Sequence, residues 1–170
     1  AGSKILIHAA AGGVGHFAVQ LAANAGAEVV GTAGPANQAF VLEMGAGGSI
    51  DYTKEDFADA ARRLCEEGFD FILDAVGGET LVKSFPLLKP GGRLVSIVEE
   101  PSAELAAEHG VSSGFIFVEP NAEQLGLLAR LVDQTKLTTH VQKIYPLTEA
   151  LGAQKESAAG HVRGKLVLNL

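Results

Sequence analysis

Short apolar runs that do not alternate with polar residues recur along the chain. They lie at residues 5–7, 29–30, 69–73, 94–98 and 115–118. Runs of this kind are typical of strands that are buried on both faces, and such strands are found mainly in parallel sheets. We therefore predict a parallel sheet built from these five segments and the shorter extended stretches near them.

The segments between these runs carry apolar residues at helical spacing. In the clearest case, residues 14–25, apolar side chains recur at intervals of three and four, with His16 and Gln20 on the opposite face. Further helices are predicted at about residues 38–44, 57–65 and 80–88, and from an N-cap at Asn121. Because strands and helices alternate, right-handed crossovers place helices on both faces of the sheet. The predicted fold class is α/β, a doubly wound parallel sheet in three layers.

The composition is that of a folded protein with small-molecule or protein partners. Hydrophobic residues make up 47% of the 170 residues and charged residues 19%, which excludes a disordered chain. The formal net charge of -7 gives no basis for binding nucleic acid or an acidic membrane surface. The single cysteine excludes a disulfide scaffold, and no apolar stretch reaches the ~20 residues of a membrane span. Since the first residues also lack the pattern of a signal peptide, we predict a cytoplasmic location.

The most informative segment is a glycine-rich turn directly after the first predicted strand. Residues 10–15 read Ala-Ala-Gly-Gly-Val-Gly, and a helix begins at once. In this setting the turn matches the dinucleotide fingerprint G-x-G-x-x-G, with alanine in the first position. Gly12 lets a pyrophosphate approach the backbone, Gly15 allows helix and strand to pack closely, and the helix N-terminus provides free N–H groups. The turn therefore predicts a site for a dinucleotide.

The end of the second predicted strand bears on which dinucleotide is bound. A carboxylate at this point would hold the ribose hydroxyls of NAD, but the segment at residues 31–35 is Gly-Thr-Ala-Gly-Pro. The missing acid removes repulsion against the 2′-phosphate of NADP, and this favours NADP. No Lys or Arg lies between residues 5 and 53 to bind that phosphate. The neutral candidates are Thr32, Asn37, Gln38 and Tyr52, and the nearest cation in sequence is Lys54.

Five motifs carry a resemblance to a known family. They are residues 8–15 (His-Ala-Ala-Ala-Gly-Gly-Val-Gly), 50–52 (Ile-Asp-Tyr), 74–78 (Asp-Ala-Val-Gly-Gly), 88–92 (Leu-Lys-Pro-Gly-Gly) and 160–165 (Gly-His-Val-Arg-Gly-Lys). In order and spacing, over nearly the whole chain, they resemble the cofactor-binding half of a zinc-independent medium-chain dehydrogenase/reductase of the quinone oxidoreductase-like, NADPH-dependent group. The resemblance implies a Rossmann fold with strand order 3-2-1-4-5-6. It also implies hydride transfer from NADPH to a quinone or an α,β-unsaturated carbonyl compound, with no catalytic residue in this chain.

The resemblance places the cofactor along the carboxyl ends of the strands. The pyrophosphate would lie on the glycine turn, the adenosine phosphate beside Tyr52, and the nicotinamide beside the ends of the fifth and sixth strands. Arg163 is a candidate partner of the 2′-phosphate, because Ala36 stands where relatives often carry Arg or Lys. Taken together, the candidate cofactor-binding residues are Gly12, Gly13, Val14, Gly15, Thr32, Asn37, Tyr52, Ala75, Val76, Gly77, Ser96, Ile97, Phe115, Ile116, Phe117 and Arg163.

The same resemblance divides the chain into two parts. Residues 1–136 correspond to the dinucleotide-binding domain. Residues 137–170 correspond to a segment that, in the family, packs on a GroES-like catalytic domain absent from these 170 residues. We therefore expect the isolated chain to bind cofactor with little turnover, since that domain supplies most substrate contacts. Relatives dimerise through the sixth strand, so we expect a homodimer formed through this edge of the sheet.

Two other functions would use the same sequence features. A non-catalytic NAD(P)-sensing or interaction module would carry the same glycine turn. A methyltransferase is the less favoured alternative, since residues 88–95 also resemble a turn and strand of such enzymes. Among single side chains, we interpret His8 as a hydrogen-bonded packing residue, His16 as solvated and Asp74 as a turn former. One cysteine with scattered histidines gives no zinc cluster.

Overall fold

Six strands of the chain form one parallel sheet in the computed structural model, which describes residues 2–170. The strands are β1 (Lys4–Ile7), β2 (Glu28–Ala33), β3 (Gly48–Asp51), β4 (Phe69–Asp74), β5 (Leu88–Ser96) and β6 (Ser112–Phe115). Their order across the sheet is β3-β2-β1-β4-β5-β6, and every neighbouring pair is parallel. The doubly wound α/β fold and its strand order, both predicted from the sequence, are confirmed.

Helices connect the strands of this sheet and continue beyond it. They are α1 (Gly15–Asn24), α2 (Gln38–Glu43), α3 (Phe57–Leu64), α4 (Gly78–Ser84), α5 (Ala103–Glu108), α6 (Ala122–Asp133) and α7 (Ala150–Ala158). Asn121 caps α6 as predicted, since its side chain accepts a hydrogen bond from the Gln124 backbone N–H at 2.9 Å. Among the described residues, none of the helices combines the length and apolar character that a membrane span requires.

The hydrophobic core lies on both faces of the sheet. Neighbouring residues of β1 point to opposite faces, so Leu6 packs in one cluster with Ile72 and Phe85, while Ile7 packs in the other with Val41. Helices cover both clusters. This double burial is the reason why the strand segments read as continuous apolar runs.

The structure places the last strand of the sheet earlier than the apolar pattern predicts. The run at residues 115–118 was expected to be the edge strand, but β6 covers Ser112–Phe115 and pairs through the register Arg93↔Ser112 to Ser96↔Phe115. Ile116 and Phe117 therefore lie beyond the strand, with Phe117 79% exposed. An edge strand has only one neighbour, so it does not need the apolar sequence on which the prediction relied.

The face of α1 that the sequence presents as polar is buried. His16 and Gln20 are nearly inaccessible, so the prediction that His16 is solvated is wrong. The reason is that the C-terminal segment covers this face: the Gln20 side chain donates to the Thr138 carbonyl at 3.0 Å and accepts from the Thr138 N–H at 2.7 Å. The polar residues of this helix therefore satisfy backbone groups of a distant segment.

The C-terminal segment forms a small unit that is attached to the glycine turn. Strands β7 (Val141–Pro146) and β8 (Lys165–Asn169) pair in parallel in a separate two-stranded sheet, with α7 between them in sequence. Just before β8, the N–H of Gly164 donates to the Ala11 carbonyl at 2.8 Å. Gly164 has a φ of +64° and packs so closely on His140 that no side chain fits. This contact brings residues 161–165 to the mouth of the predicted cofactor site.

Candidate cofactor-binding site

A cavity of about 440 Å³ lies at the carboxyl ends of β1 and β2, beside the glycine turn. It is next to the point where the strand order reverses, because β1 lies between β2 and β4. In open α/β sheets this is the position at which ligands bind. Of the sequence-predicted residues, the cavity is lined by Gly12, Thr32, Asn37, Tyr52 and Val76.

The glycine turn is closed by the carbonyl of Ala9. Ala9 has a φ of +49°, which is rare for a residue with a side chain, and its carbonyl accepts the Gly12 N–H at 2.9 Å. A Cβ at Gly15 would lie 2.1 Å from the same carbonyl oxygen, so only glycine allows α1 to start this close to β1. No side chain caps the N-terminus of α1 at Val14. Among the described residues, the N–H groups of Gly13, Val14 and Gly15 have no acceptor, so these three are available to a ligand.

Lys165 lies over this turn, although the sequence argument assigned it no role. Its Nζ is 3.0 Å from the position that a Cβ on Gly13 would occupy. Among the described residues, Lys165 forms no salt bridge. Lys165 belongs to the 160–165 motif, so the sequence did contain a signal for it, but only Arg163 of this motif was predicted to bind the cofactor. An ammonium group beside the unpaired N–H groups of this turn favours a phosphate ligand.

The adenosine side of the site joins residues that are far apart in sequence. The Tyr52 hydroxyl lies 3.3 Å from Nδ1 of His161, and both side chains line the cavity. Arg163 donates from Nε to Oδ1 of Asn37 at 2.8 Å and from Nη2 to the Ala36 carbonyl at 2.6 Å. The guanidinium also lies over the ring of Phe40, 5.2 Å from its centre. Arg163 is therefore held beside Asn37, which lines the cavity.

The other side of the site is tied together by a buried carboxylate. Asp74, fully buried, accepts hydrogen bonds from the N–H groups of Val76 at 3.2 Å and Gly77 at 3.0 Å. The Ser96 hydroxyl donates to the same carboxylate at 2.7 Å and accepts the Val98 N–H at 3.1 Å. The interpretation of Asp74 as a turn former is confirmed. Its bonds link the loop after β4 to the loop after β5.

None of the residues predicted beside the nicotinamide, at the ends of the fifth and sixth strands, lines the cavity. Ser96 is buried and engaged with Asp74, and Ile97 donates its N–H to the Asp74 carbonyl at 3.0 Å. Beyond β6, Ile116 is 55% exposed. The remaining predicted residues outside the cavity lining are Gly13, Val14, Gly15, Ala75, Gly77, Phe115, Phe117 and Arg163.

The described residues also bear on a metal site. Within residues 2–170, no three His, Cys, Asp or Glu side chains lie together as ligands of one ion. The cysteine, Cys65, is buried and donates from Sγ to the Gly68 carbonyl at 2.9 Å. The donor set that a zinc ion requires is therefore not assembled by these residues.

Comparison with known proteins finds relatives of the chain among oxidoreductases. A family model described as zinc-binding dehydrogenase matches residues 44–168. The chain is 33% identical over 173 residues to a probable mitochondrial zinc-binding oxidoreductase of Arthroderma benhamiae, covering 99% of this chain and 52% of the relative. It is 33% identical over 172 residues to a chloroplast envelope quinone oxidoreductase homolog of Arabidopsis thaliana, covering 98% and 52%. The solved quinone oxidoreductase of Coxiella burnetii superposes with a TM-score of 0.92 at 37% identity, covering 99% and 53%.

These matches run through both the sheet and the C-terminal segment. The chain spans about half the length of the relatives, so it corresponds to one part of such a protein. Zinc is part of the name of the family, and residues 2–170 group no metal ligands. With a model that matches most of the chain and a full-length superposition on a quinone oxidoreductase, the chain belongs to the zinc-binding dehydrogenase family, as a quinone oxidoreductase-like member of the medium-chain dehydrogenases/reductases.

Proposed function

We propose that the chain is the cofactor-binding part of an oxidoreductase that transfers hydride from NADPH to a quinone or an α,β-unsaturated carbonyl compound. The observation that carries the proposal is the glycine turn, whose backbone lies against a cavity at the switch point of the sheet. The names of the relatives, quinone oxidoreductase and zinc-binding oxidoreductase, support the reaction class.

In this proposal the residues of the chain bind and orient, and the bound nicotinamide supplies the hydride chemistry. The N–H groups at the start of α1 hold the pyrophosphate, and Lys165 offsets its negative charge. Val76 gives the cavity an apolar wall on the nicotinamide side. Fixing both halves of the cofactor lowers the entropic part of the reaction barrier, which is the contribution that a binding domain makes to catalysis.

The preference for NADPH over NADH rests on charge at the adenosine side. No carboxylate stands at the end of β2, and the cations near this point come from the C-terminal segment. Arg163 is already held by Asn37 and the Ala36 carbonyl, so little side-chain entropy is lost when a 2′-phosphate binds. A guanidinium binds phosphate more strongly than the neutral donors Thr32 and Tyr52 do.

Calorimetric titration of the 170-residue chain with NADPH and with NADH tests the proposal. We expect both to bind, NADPH more tightly, and Gly12→Leu to abolish binding because its side chain would fill the approach to the turn. Gly126→Leu is the matched control, because open space surrounds Gly126 on α6. Unaltered affinity in Gly12→Leu, or binding of S-adenosylmethionine in place of NADPH, would contradict the proposed function.

Turnover distinguishes an oxidoreductase part from a sensing module. The chain covers 52% of its first relative, so we expect it to bind NADPH but to oxidise it with a quinone or an enone at a negligible rate. The complete protein should turn over with such an acceptor. A complete protein that binds NADPH and reduces no quinone or enone would favour the sensing module.

We also propose that the chain forms a homodimer through β6, and that it is cytoplasmic. The strand lies at the edge of the sheet, and the residues that follow it expose large apolar side chains, including Phe117 and Val118 at 79% each. Light scattering at tens of micromolar should give a mass near twice 17.5 kDa. Phe117→Asp should shift this mass toward the monomer, whereas a monomeric wild-type chain would contradict the proposal.

A further inference from the structure

His8 lies at the end of β1, in the wall of the cavity, with both ring nitrogens engaged. Nδ1 is 3.2 Å from the Thr32 hydroxyl on β2, and Nε2 is 2.9 Å from the Ser84 hydroxyl on α4. The ring is 1% exposed and meets the ring of Phe57 edge to face at 4.9 Å. The ring therefore links the two sides of the cavity, β2 and α4. The sheet also joins these sides, but only below the cavity.

The hydrogen bonds around the His8 ring fix which group donates and which accepts at each contact. Ser84 donates its only hydroxyl proton to the Thr80 carbonyl at 2.7 Å, so its oxygen accepts from Nε2–H of His8. Nδ1 then carries no proton and accepts from the Thr32 hydroxyl, whose oxygen accepts the Ala9 N–H at 3.3 Å. Only the neutral imidazole with its proton on Nε2 satisfies every group in this series of hydrogen bonds.

Each end of this series of hydrogen bonds contacts one half of the predicted cofactor site. At one end Thr32 holds the N–H of Ala9, the strained residue whose carbonyl closes the glycine turn. At the other end Ser84 belongs to α4, which follows the loop of Val76 and Gly77 on the nicotinamide side. The distance between the two halves therefore depends on a ring that contacts both.

The surroundings keep the ring neutral. Burial lowers the pKa of His8 to about 4, and the negative charge of Asp74, which acts in the opposite direction, is too weak to reverse this. The other groups that contact the ring, Thr32, Ser84 and Phe57, carry no charge. The imidazole therefore stays a neutral hydrogen-bonding link at physiological pH.

We propose that His8 is a positioning residue that sets the spacing between the adenosine and nicotinamide halves of the cofactor site through Thr32 and Ser84. This inference rests on the proposed dinucleotide site. The residue touches no reacting atom in this role, and its effect on the cofactor passes through the turn and through α4. Loss of the bond between His8 and Ser84 should therefore weaken the binding of a ligand that spans both halves. The affinity of a ligand confined to the adenosine half should not depend on that bond.

Two ligands and three variants test this. NADPH spans both halves, and adenosine 2′,5′-bisphosphate occupies only the adenosine half. In Ser84→Ala, we expect the Kd for NADPH to rise about tenfold, with the Kd for the bisphosphate changed less than twofold. In Thr32→Val, both Kd values should rise, because the hydroxyl that holds Ala9 is lost. Ser49→Ala is the matched control, since no partner for the buried Ser49 hydroxyl is present in the described part of the chain.

The outcomes separate this inference from the proposed function. If wild-type chain binds neither ligand, the dinucleotide site itself is wrong. If it binds both and Ser84→Ala shifts the two Kd values equally or not at all, the positioning role of His8 is wrong and the site remains. His8→Gln removes the ring that joins Thr32 to Ser84 but keeps the Thr32 hydroxyl that holds Ala9, so it should reproduce the Ser84→Ala pattern.

Discussion

The two halves of the crevice differ in how they are prepared for a ligand. On the side of β1 and β2, the glycine turn faces an open cavity, and the cations Arg163 and Lys165 stand beside it. On the side of β4 and β5, the polar groups of the loops form hydrogen bonds with each other through Asp74 and Ser96. We propose that the first half receives phosphate groups, whereas the second half forms an internally satisfied wall.

This difference has a physical basis. A phosphate needs donors and positive charge that are not already paired, so its site must keep N–H groups free. A nicotinamide ring needs a fixed surface, which a buried and fully bonded carboxylate supports well. The chain supplies many candidate partners for the phosphates and few for the ring, in agreement with its being about half of the length of its relatives.

The largest effect on this comparison is expected at Gly15. A methyl group there would lie 2.1 Å from the Ala9 oxygen, so Gly15→Ala must displace α1 from β1. We expect a loss of roughly 3 kcal/mol in the free energy of unfolding, with no measurable NADPH binding. Urea denaturation measures the first and calorimetry the second. Gly114→Ala, which meets open space on β6, should show neither effect.

The opposite half can be weakened without touching the first. Ser96→Ala removes a buried hydroxyl bonded to a carboxylate, which should lower the free energy of unfolding by about 2 kcal/mol. Adenosine 2′,5′-bisphosphate should bind as it does to the wild type, since its half of the site keeps every contact. A parallel loss of bisphosphate affinity would show that the two halves are not separable.

Low pH should destabilise the region around His8, between the two halves of the site. Burial lowers the pKa of His8 to about 4 and also lowers the pKa of His16. The unfolded chain binds more protons below pH 6.5, so this stability is complete above that pH and is lost as pH falls toward 4. For His8 alone, we expect the free energy of unfolding to fall by about 2 kcal/mol between pH 7 and pH 5. Denaturation of His8→Asn across this range should give a shallower slope, and an unchanged slope would contradict the assignment.

The smallest effect separates the two cations of the first half. Lys165→Ala should weaken NADPH and NADH equally, by about tenfold, because the pyrophosphate is common to both. Arg163→Ala should weaken NADPH but leave NADH nearly unchanged, because only NADPH carries the 2′-phosphate. Paired titrations give both ratios. If Lys165→Ala spares NADH, the lysine serves the 2′-phosphate and the roles of the two residues are reversed.

Local sequence was sufficient where the signal spans a few residues. The apolar runs predict the parallel strands, and the glycine turn predicts a tight strand-to-helix connection, because periodicity and backbone freedom act over one or two turns of chain. Accordingly, Gly12 of the glycine turn and Thr32 of β2 line the same cavity. The residues predicted beside the nicotinamide do not line this cavity, since Ser96 is bonded to Asp74 and Phe117 lies beyond the end of β6.

The α/β architecture, the strand order through the family motifs, and the position of the turn could all be predicted from the order of the amino acids. The burial of His16, the position of Lys165 over Gly13, and the contact of Tyr52 with His161 across 109 positions of sequence could not. The two groups differ in the distance along the chain over which the interactions act. Hydrophobic periodicity reports which face of an element is buried, whereas the identity of the segment that covers a polar face depends on how distant parts of the chain pack together.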